Sequence, residues 1–274
     1  MVSHASVALQ ASDTNVLVVA GGGSLPRILA KVLGERGCVC AVEGFADLET
    51  LAIADAEIPL GMFNEMMEVG RAAAASKVLF TGSLTRPAAD NWHLDEFAQD
   101  NLDLNALRLG DDAALRAISG LFKVGGFMTV GPLDIAPGMA MPRGELGRFS
   151  ADSFQLDIAH GKSVASSLGA LDVGQAVVVQ QGLVLAVEGI EGTDSLIARA
   201  GALSRPGAPP ILIKSAKPQQ DLRLDVPTVG CATLYQLAEA GFGGLAVQAG
   251  KALVVDLKAT IEAADAAGLF FYGF

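Results

Sequence analysis

The run KSAKPQQDLRLD, from Lys214 to Asp225, sets Lys214, Lys217, Asp221, Arg223 and Asp225 around two glutamines, Gln219 and Gln220. It follows directly on the apolar segment Pro210-Ile211-Leu212-Ile213, in a chain that is 51% hydrophobic. Just upstream, EGIEGTD spaces Glu188, Glu191 and Asp194 three residues apart. Lysines neutralise phosphate oxygens as negative charge builds on them, and paired carboxylates bind Mg²⁺ or orient a water. Together the two runs carry the donors for a divalent cation and a phosphate in one place.

If Asp221–Asp225 is extended, Asp221, Arg223 and Asp225 point to one side while Leu222 and Leu224 pack on the other. Glu188, Glu191 and Asp194 would share a face of a continuous helix, but Gly189 and Gly192 favour a tight loop. Thr193 or Asp194 is then expected to cap the helix that follows. Three carboxylates drawn together raise one another's pKa unless cations stand between them. A surface salt-bridge lattice is the plain alternative for the second run. Against it, Val226-Pro227-Thr228-Val229-Gly230 resumes an apolar pattern at once and holds the polar run between core segments.

A second candidate is the turn GGGSLP, residues 21–26, between a strand and a helix. Gly21, Gly22, Gly23, Ser24 and Leu25 would let backbone N–H groups approach an anion at the positive end of the helix. The turn lacks the Gly-Lys-Ser/Thr of a P-loop, and Pro26 stands where a dinucleotide fingerprint has its third glycine. Glu43 ends the second strand, where a ribose-binding acid sits in a dinucleotide fold. These features motivate a competing reading as an NAD(P)-dependent oxidoreductase, and a ligand-free tight turn is the simpler one. The three histidines, His4, His93 and His160, lie outside both acidic runs, so a zinc site or a Ser-His-Asp triad has little support.

The elements that must position these residues alternate. Val16–Val19 reads as a strand, Ser24 as the N-cap of a helix with Pro26 in its first turn, and Cys38–Val42 and Val78–Thr81 as further strands. Helices fit Met62–Ala75 and Asp111–Leu121. That order reads as a parallel, doubly wound sheet. From Gly131 to Arg148 prolines and glycines interrupt any period. The second half restarts with a helix near Ala151–Leu168 and a hairpin, Ala176–Val179 with Leu183–Val187, about Gln180-Gln181-Gly182. Strands at Ile211–Ile213, Leu245–Val247 and Leu253–Val255 follow, with helices near Leu196, Tyr235 and Ala259. The expected fold class is α/β: an N-terminal Rossmann-like domain with a parallel sheet (1–140), a Pro/Gly-rich linker (141–155) and a C-terminal mixed-sheet catalytic domain (156–274).

Composition narrows the function. A length of 274 residues suffices for two small domains, and a net charge of -11 argues against a nucleic-acid partner. Cys38, Cys40 and Cys231 form no disulfide framework, which suits a reducing cytoplasm, and Cys38 and Cys40 share one face of a strand. Mean hydropathy is high at +0.43, yet no stretch reaches the length of a membrane span, and the N-terminus does not read as a signal peptide. The apolar excess belongs to a large interior or in part to a lipid-accepting groove.

Five segments, GGGSLP (21–26), LRLGDDAALR (107–116), VEGIEGTD (187–194), KSAKPQQDLRLDVPTVG (214–230) and AGFGGLAVQAG (240–250), together resemble the UDP-2,3-diacylglucosamine pyrophosphatases of lipid A biosynthesis that are unrelated to metallophosphoesterases. The resemblance covers nearly the whole chain. It implies two domains with the lipid substrate between them, and cleavage of the substrate's pyrophosphate to UMP and 2,3-diacylglucosamine 1-phosphate (lipid X) with a divalent metal, usually Mg²⁺. It implies water attack on the sugar-side phosphorus. Asp225 matches the family's central aspartate. Leu224 stands where an aromatic is common, and Gln248 where Glu is frequent, so position 248 is assigned no catalytic role.

The expected site then comprises Asp225, Asp221, Asp194, Glu188, Glu191, Lys214, Lys217 and Arg223 for the chemistry, and Asp225 with Asp194 for the metal. Gly21–Leu25, Thr193 and Gln219 are expected to bind substrate. Met62, Phe63, Met66 and the segment Phe127–Met141 are candidates to line an acyl groove, where each buried methylene contributes about 0.8 kcal/mol. Expected partners are the UDP-linked diacylated glucosamine, its lipid X product and a transient membrane surface. The chain is expected to be cytoplasmic and peripheral at the inner membrane, with a homodimer an allowed state. A non-catalytic carrier of nucleotide-linked lipid is a third class, distinguished by retained ligand without UMP release.

Overall fold

Five apolar residues after Asn15, three of them β-branched valines, make a strand buried on both faces, the signature of a central position in a parallel sheet. In the computed structural model, which describes residues 15–85 and 92–274, this strand is β1 (Asn15–Ala20). His4 lies outside the described residues. The chain divides into two compact units, Met1–Gly131 and Pro132–Phe274.

In the first unit β1 is followed by α1 (Leu25–Leu33), β2 (Gly37–Val42), α2 (Leu48–Leu51), β3 (Ala56–Ile58), α3 (Phe63–Ala72), β4 (Ala75–Thr81), α4 (Glu96–Asn101), α5 (Asp111–Val124) and β5 (Met128–Val130). The sheet order is β3-β2-β1-β4-β5, all parallel, which is the Rossmann-like arrangement expected. The acids Asp111 and Asp112 open α5 and Lys123 closes it, each matched to the helix dipole. Cys38 and Cys40 are both buried in β2, and burial pushes their thiols up to about 11 and about 12. Phe63, Met66 and Phe127 are packed in this unit's core with Met67, Leu121 and Phe122. They do not line an open groove, because α3 turns its apolar face onto the sheet; Met141 is equally buried in the second unit's core.

The second unit runs α6 (Pro132–Ile135), β6 (Gly144–Leu146), α7 (Gln155–Ala170), β7 (Ala176–Gln180), β8 (Leu183–Val187), α8 (Gly192–Gly201), β9 (Ile211–Lys214), β10 (Thr228–Val229), α9 (Cys231–Glu239), β11 (Gly244–Val247), β12 (Leu253–Val254), α10 (Leu257–Ala267) and β13 (Phe270–Gly273). The mixed sheet has the order β6-β13-β11-β9-β7-β8, with β13, β11 and β9 parallel. The segment expected as a linker is built into this unit: Gly144–Leu146 pairs antiparallel with β13. Its strand is three residues long and its partner lies at the other end of the unit, so no local pattern announces it.

Period-two alternation sorts the sheet's side chains. Val178, Leu212, Leu245, Val247 and Phe271 pack against Leu196 and Ile197 of α8, Leu234 and Leu237 of α9 and Ala263 of α10. Val177, Val179, Ile211, Ile213 and Phe270 face Ile158 and Ala165 of α7. Helix α7 comes so near that a Cβ on Gly161 would meet Ile213 Cδ1 at 2.6 Å. The Gln181-Gly182 hairpin has positive φ at both residues, 49° and 79°, as a two-residue type I′ loop requires. Asp157 of α7 accepts both backbone N–H groups of that loop, at 2.8 and 2.7 Å. Among the described residues no helix is long and apolar enough to cross a membrane.

Candidate active site

Lys214 ends β9, beside the carboxyl ends of the parallel strands, where open α/β sheets bind ligands. The alternation that puts Leu212 on the α8–α9 face puts Lys214 on the same face. The side chain is buried, at 7% exposure. Its Nζ donates to Thr193 Oγ1 at 3.0 Å and to the Thr228 carbonyl at 3.1 Å. Thr193 Oγ1 in turn donates to Glu188 Oε1 at 2.5 Å, and Glu188 Oε2 accepts the backbone N–H of Gln175 at 2.9 Å. Glu188 is itself buried, at 6% exposure. A threonine hydroxyl therefore links a buried cation to a buried anion.

Two effects compete at Lys214. Burial disfavours the ammonium and is the larger, pushing the pKa below the usual lysine value; the carboxylates of Glu188, Asp225 and Asp194 act in the opposite sense. A fourth negative group placed against this lysine, such as a phosphate, would favour the charged form further.

The acidic run divides at this point. Helix α8 starts at Gly192 with Glu191 at the N-cap position and no side-chain cap bond, so neither Thr193 nor Asp194 caps it. Both lie in the first turn, which frees Thr193 to bridge Glu188 and Lys214 while Asp194 remains exposed. Glu191 turns away and pairs with Arg199 at 2.5 Å. Its pKa is lowered by the backbone N–H groups at the helix start and by Arg199.

The second run is a turn and not an extended strand. Asp221 O accepts from the backbone N–H of Leu224 at 2.9 Å and of Asp225 at 3.1 Å, and Asp221 Oδ1 accepts from Arg223 N at 3.0 Å. These short-range bonds outcompete an extended backbone, as aspartate side chains at turn starts do. Arg223 closes a two-point pair on Asp221, Nε to Oδ1 at 2.9 Å and Nη2 to Oδ2 at 2.6 Å. Leu224 is buried, and Asp225 is exposed with Oδ2 accepting from Gln220 Nε2 at 2.5 Å.

Lys217 makes an ion pair with Asp172 at 2.5 Å, and Gln219 Nε2 donates to the Gly169 carbonyl at 2.8 Å. Both side chains thus tie the loop after β9 to the C-terminal end of α7. Gln248 Oε1 accepts the Ala216 N–H at 3.1 Å, a supporting contact at the start of the same loop. Sequence reasoning missed Asp172, Gln175, Gln220 and the Thr228 carbonyl. Asp172 and Gln175 lie more than forty residues from their partners in the loop, and a carbonyl leaves no trace in residue type.

The glycine turn belongs to the first unit and is already closed by protein acceptors. Gly21 N donates to Thr81 O and Gly22 N to Ser83 O, each at 2.9 Å, and Gly23 N donates to Asp47 Oδ2 at 3.1 Å. A Cβ on Gly21 would stand 2.4 Å from the Ser83 carbonyl, so close chain approach explains glycine there. Ser24 occupies the N-cap position without a side-chain cap bond. The expected cradle of N–H groups is thereby reduced to Ser24 and Leu25.

Asp47 caps α2 and pairs with Arg27 at 2.5 Å. The Thr50 backbone N–H and then Arg27 hold its carboxyl down to about 2. A depressed aspartate stabilises the fold above the ordinary carboxylate range, and the contribution fades as pH falls through about 2. In a carboxyl NMR titration Asp47 is expected to show that midpoint, and Arg27→Met is expected to move it upward; an ordinary midpoint would contradict the assigned contacts.

Among the described residues no group of three or more His, Cys, Asp or Glu is gathered as a metal cage. Mg²⁺ needs none: it commonly takes one or two carboxylates and completes its shell with water and substrate phosphate. Asp225 and Asp194, the two carboxylates expected to hold a metal, are both exposed and both act electrically on Lys214.

The fold and site define a two-unit α/β protein: a Rossmann-like parallel sheet, then a mixed sheet carrying a lysine–carboxylate cluster at its strand ends. Family models match both halves, the LpxI N-terminal domain over residues 15–139 and the LpxI C-terminal domain over 142–272. The UDP-2,3-diacylglucosamine pyrophosphatase LpxI of Caulobacter vibrioides is 38% identical over 271 residues, covering 93% of this chain and 96% of that protein. The chain belongs to the LpxI family, as its motifs implied. The solved structure of glycinamide-RNase-transformylase T from Mycobacterium tuberculosis matches at 19% identity over 64% of this chain and 44% of that one, with a TM-score of 0.22, too low to bear on fold or function.

Proposed function

We propose that the protein hydrolyses the pyrophosphate bond of UDP-2,3-diacylglucosamine, giving UMP and 2,3-diacylglucosamine 1-phosphate, at the site around Lys214 and Asp225. The observation that carries this reading is Lys214: a desolvated lysine at a central strand end, bonded to Thr193 and acted on by Glu188, Asp194 and Asp225. The activity in the Caulobacter relative's name supports the substrate.

Water oxygen bonds to the sugar-side phosphorus, the bond from that phosphorus to the bridging oxygen breaks, and UMP leaves with the bridging oxygen. Asp225 orients the attacking water and draws its proton. Lys214, fixed by Thr193 and Thr228, meets the charge that grows on the phosphate oxygens. Glu188 supports it through Thr193 without reaching the substrate. Lys217 and Arg223 act from the loop, each already balanced by a carboxylate, so their role is to shape the field more than to add a free charge. Mg²⁺, held by Asp225 and Asp194, would neutralise phosphate charge. Substrate with two acyl chains implies brief contact with a membrane surface.

The test is incubation of the full chain with UDP-2,3-diacylglucosamine, following UMP by chromatography. Matched release of UMP and the 1-phosphate is expected, lost on exhaustive chelation and restored by Mg²⁺. Full activity after chelation removes the metal from the account, and tight retention of uncleaved lipid supports a carrier instead.

A further inference from the structure

Gln220 sits beside the cluster without belonging to its charges. Its amide is oriented by two bonds of opposite sense: Oε1 accepts the backbone N–H of Lys217 at 2.9 Å, and Nε2 donates to Asp225 Oδ2 at 2.5 Å. Turning the amide over would set oxygen against carboxylate and N–H against N–H, so the hydrogen-bond pattern fixes which atom faces Asp225. Nε2 also approaches Gln175 Oε1 at 3.5 Å. Gln175 is itself anchored, its N–H on Glu188 Oε2 at 2.9 Å and its carbonyl accepting from Ser215 N at 2.9 Å. One neutral side chain thus reaches the Lys217 backbone, Gln175 at the head of β7, and the exposed carboxylate of Asp225.

We propose that Gln220 is a positioning residue of this site: its donated N–H helps direct the Asp225 carboxylate and ties it to the frame of Lys217 and Gln175. The inference rests on the role given to Asp225 in the proposed reaction. A neutral donor suits the task. It fixes one carboxylate oxygen without cancelling the charge, whereas a lysine or arginine in its place would form an ion pair and compete with substrate-bound cations for the same oxygens. The rival explanation is that Gln220 only shapes the loop, through the Lys217 N–H.

Two variants separate these roles. Gln220→Glu keeps an acceptor for Lys217 N but replaces the donor to Asp225 with a like charge, an effect that the Asp225→Asn background removes; Gln220→Met, of similar length, removes both bonds and adds no charge. Positioning predicts that Gln220→Glu melts like the wild type but loses about ten- to a hundredfold in kcat, as small misplacements of reacting groups do, with KM changed much less. In an Asp225→Asn background the same change is expected to add nothing further, because its effect runs through that carboxylate. A loop-shaping role predicts a near-wild-type kcat for Gln220→Glu with loss confined to Gln220→Met, and that result would overturn the proposal. Should Gln220→Glu fail to fold, a wild-type kcat in Gln220→Met overturns it equally. A fully active Asp225→Asn protein would instead sink the proposed reaction site, leaving the two failures distinguishable.

Discussion

Asp225→Asn is expected to slow UMP release by about 10²–10⁴-fold, the usual loss when a positioned acid–base group is removed. The fold should be nearly untouched. Asp225 is exposed on a turn held by Asp221, and asparagine preserves size and one acceptor oxygen. A surface change of this kind shifts stability by about 0.5 kcal/mol or less. Because the role proposed for the carboxylate is on the attacking water, kcat should fall far more than KM rises. Steady-state kinetics beside a thermal melt reads both quantities; a wild-type kcat would remove Asp225 from the chemistry.

Lys214→Met has the second large effect, and it falls on stability as well as rate. Methionine matches the stem of the lysine but leaves Thr193 Oγ1 and the Thr228 carbonyl without their donor, and Glu188 without the nearby cation. Removing one partner of a buried charge cluster costs about 3–5 kcal/mol. The lower end is expected, since Glu188 keeps the Thr193 hydroxyl and the Gln175 N–H and the burial of the ammonium itself is relieved. Activity should drop about 10²–10³-fold, as when one charge-stabilising donor is deleted.

The pH dependence of stability gives a further signature. Burial lowers the Lys214 pKa below its unfolded value of 10.5, so the unfolded chain binds more protons in the alkaline interval beneath that value. This residue's contribution to stability therefore rises with pH there, and Lys214→Met should abolish that rise. Chemical denaturation at several alkaline pH values decides it.

The α/β alternation was legible because strands buried on both faces are written as short apolar runs, Val16–Val19 and Ile211–Ile213 among them, each closed by glycine or charge. The hairpin at Gln181-Gly182 was legible for a local reason, two residues that tolerate positive φ. Strands β6 and β13 were not, because one is brief and hidden among prolines and glycines, and their pairing joins distant segments. In the site, the gathering of Lys214, Glu188, Asp194 and Asp225 could be read from charge density in an apolar chain. Their wiring could not. Whether Asp221–Asp225 extends or turns is decided by backbone bonds to Asp221. Glu191 leaves the cluster because Arg199 lies within its reach across the first turns of α8. Residue type suggests a phosphate-neutralising charge at Lys217 and a substrate contact at Gln219, yet both hold the loop to the end of α7, through partners far away in sequence. The glycine turn shows the same limit: three glycines promise open N–H groups, and only the packed structure reveals that Thr81, Ser83 and Asp47 accept them.

The reaction proposed for the strand-end cluster of the second unit is cleavage of a nucleotide-linked lipid. It is tested most directly by mass spectrometry of the products formed when wild-type and Asp225→Asn chains are each given UDP-2,3-diacylglucosamine. UMP and 2,3-diacylglucosamine 1-phosphate are expected from the wild type, and bound, intact substrate from the variant. Equal product from both, or intact lipid from both, would contradict it.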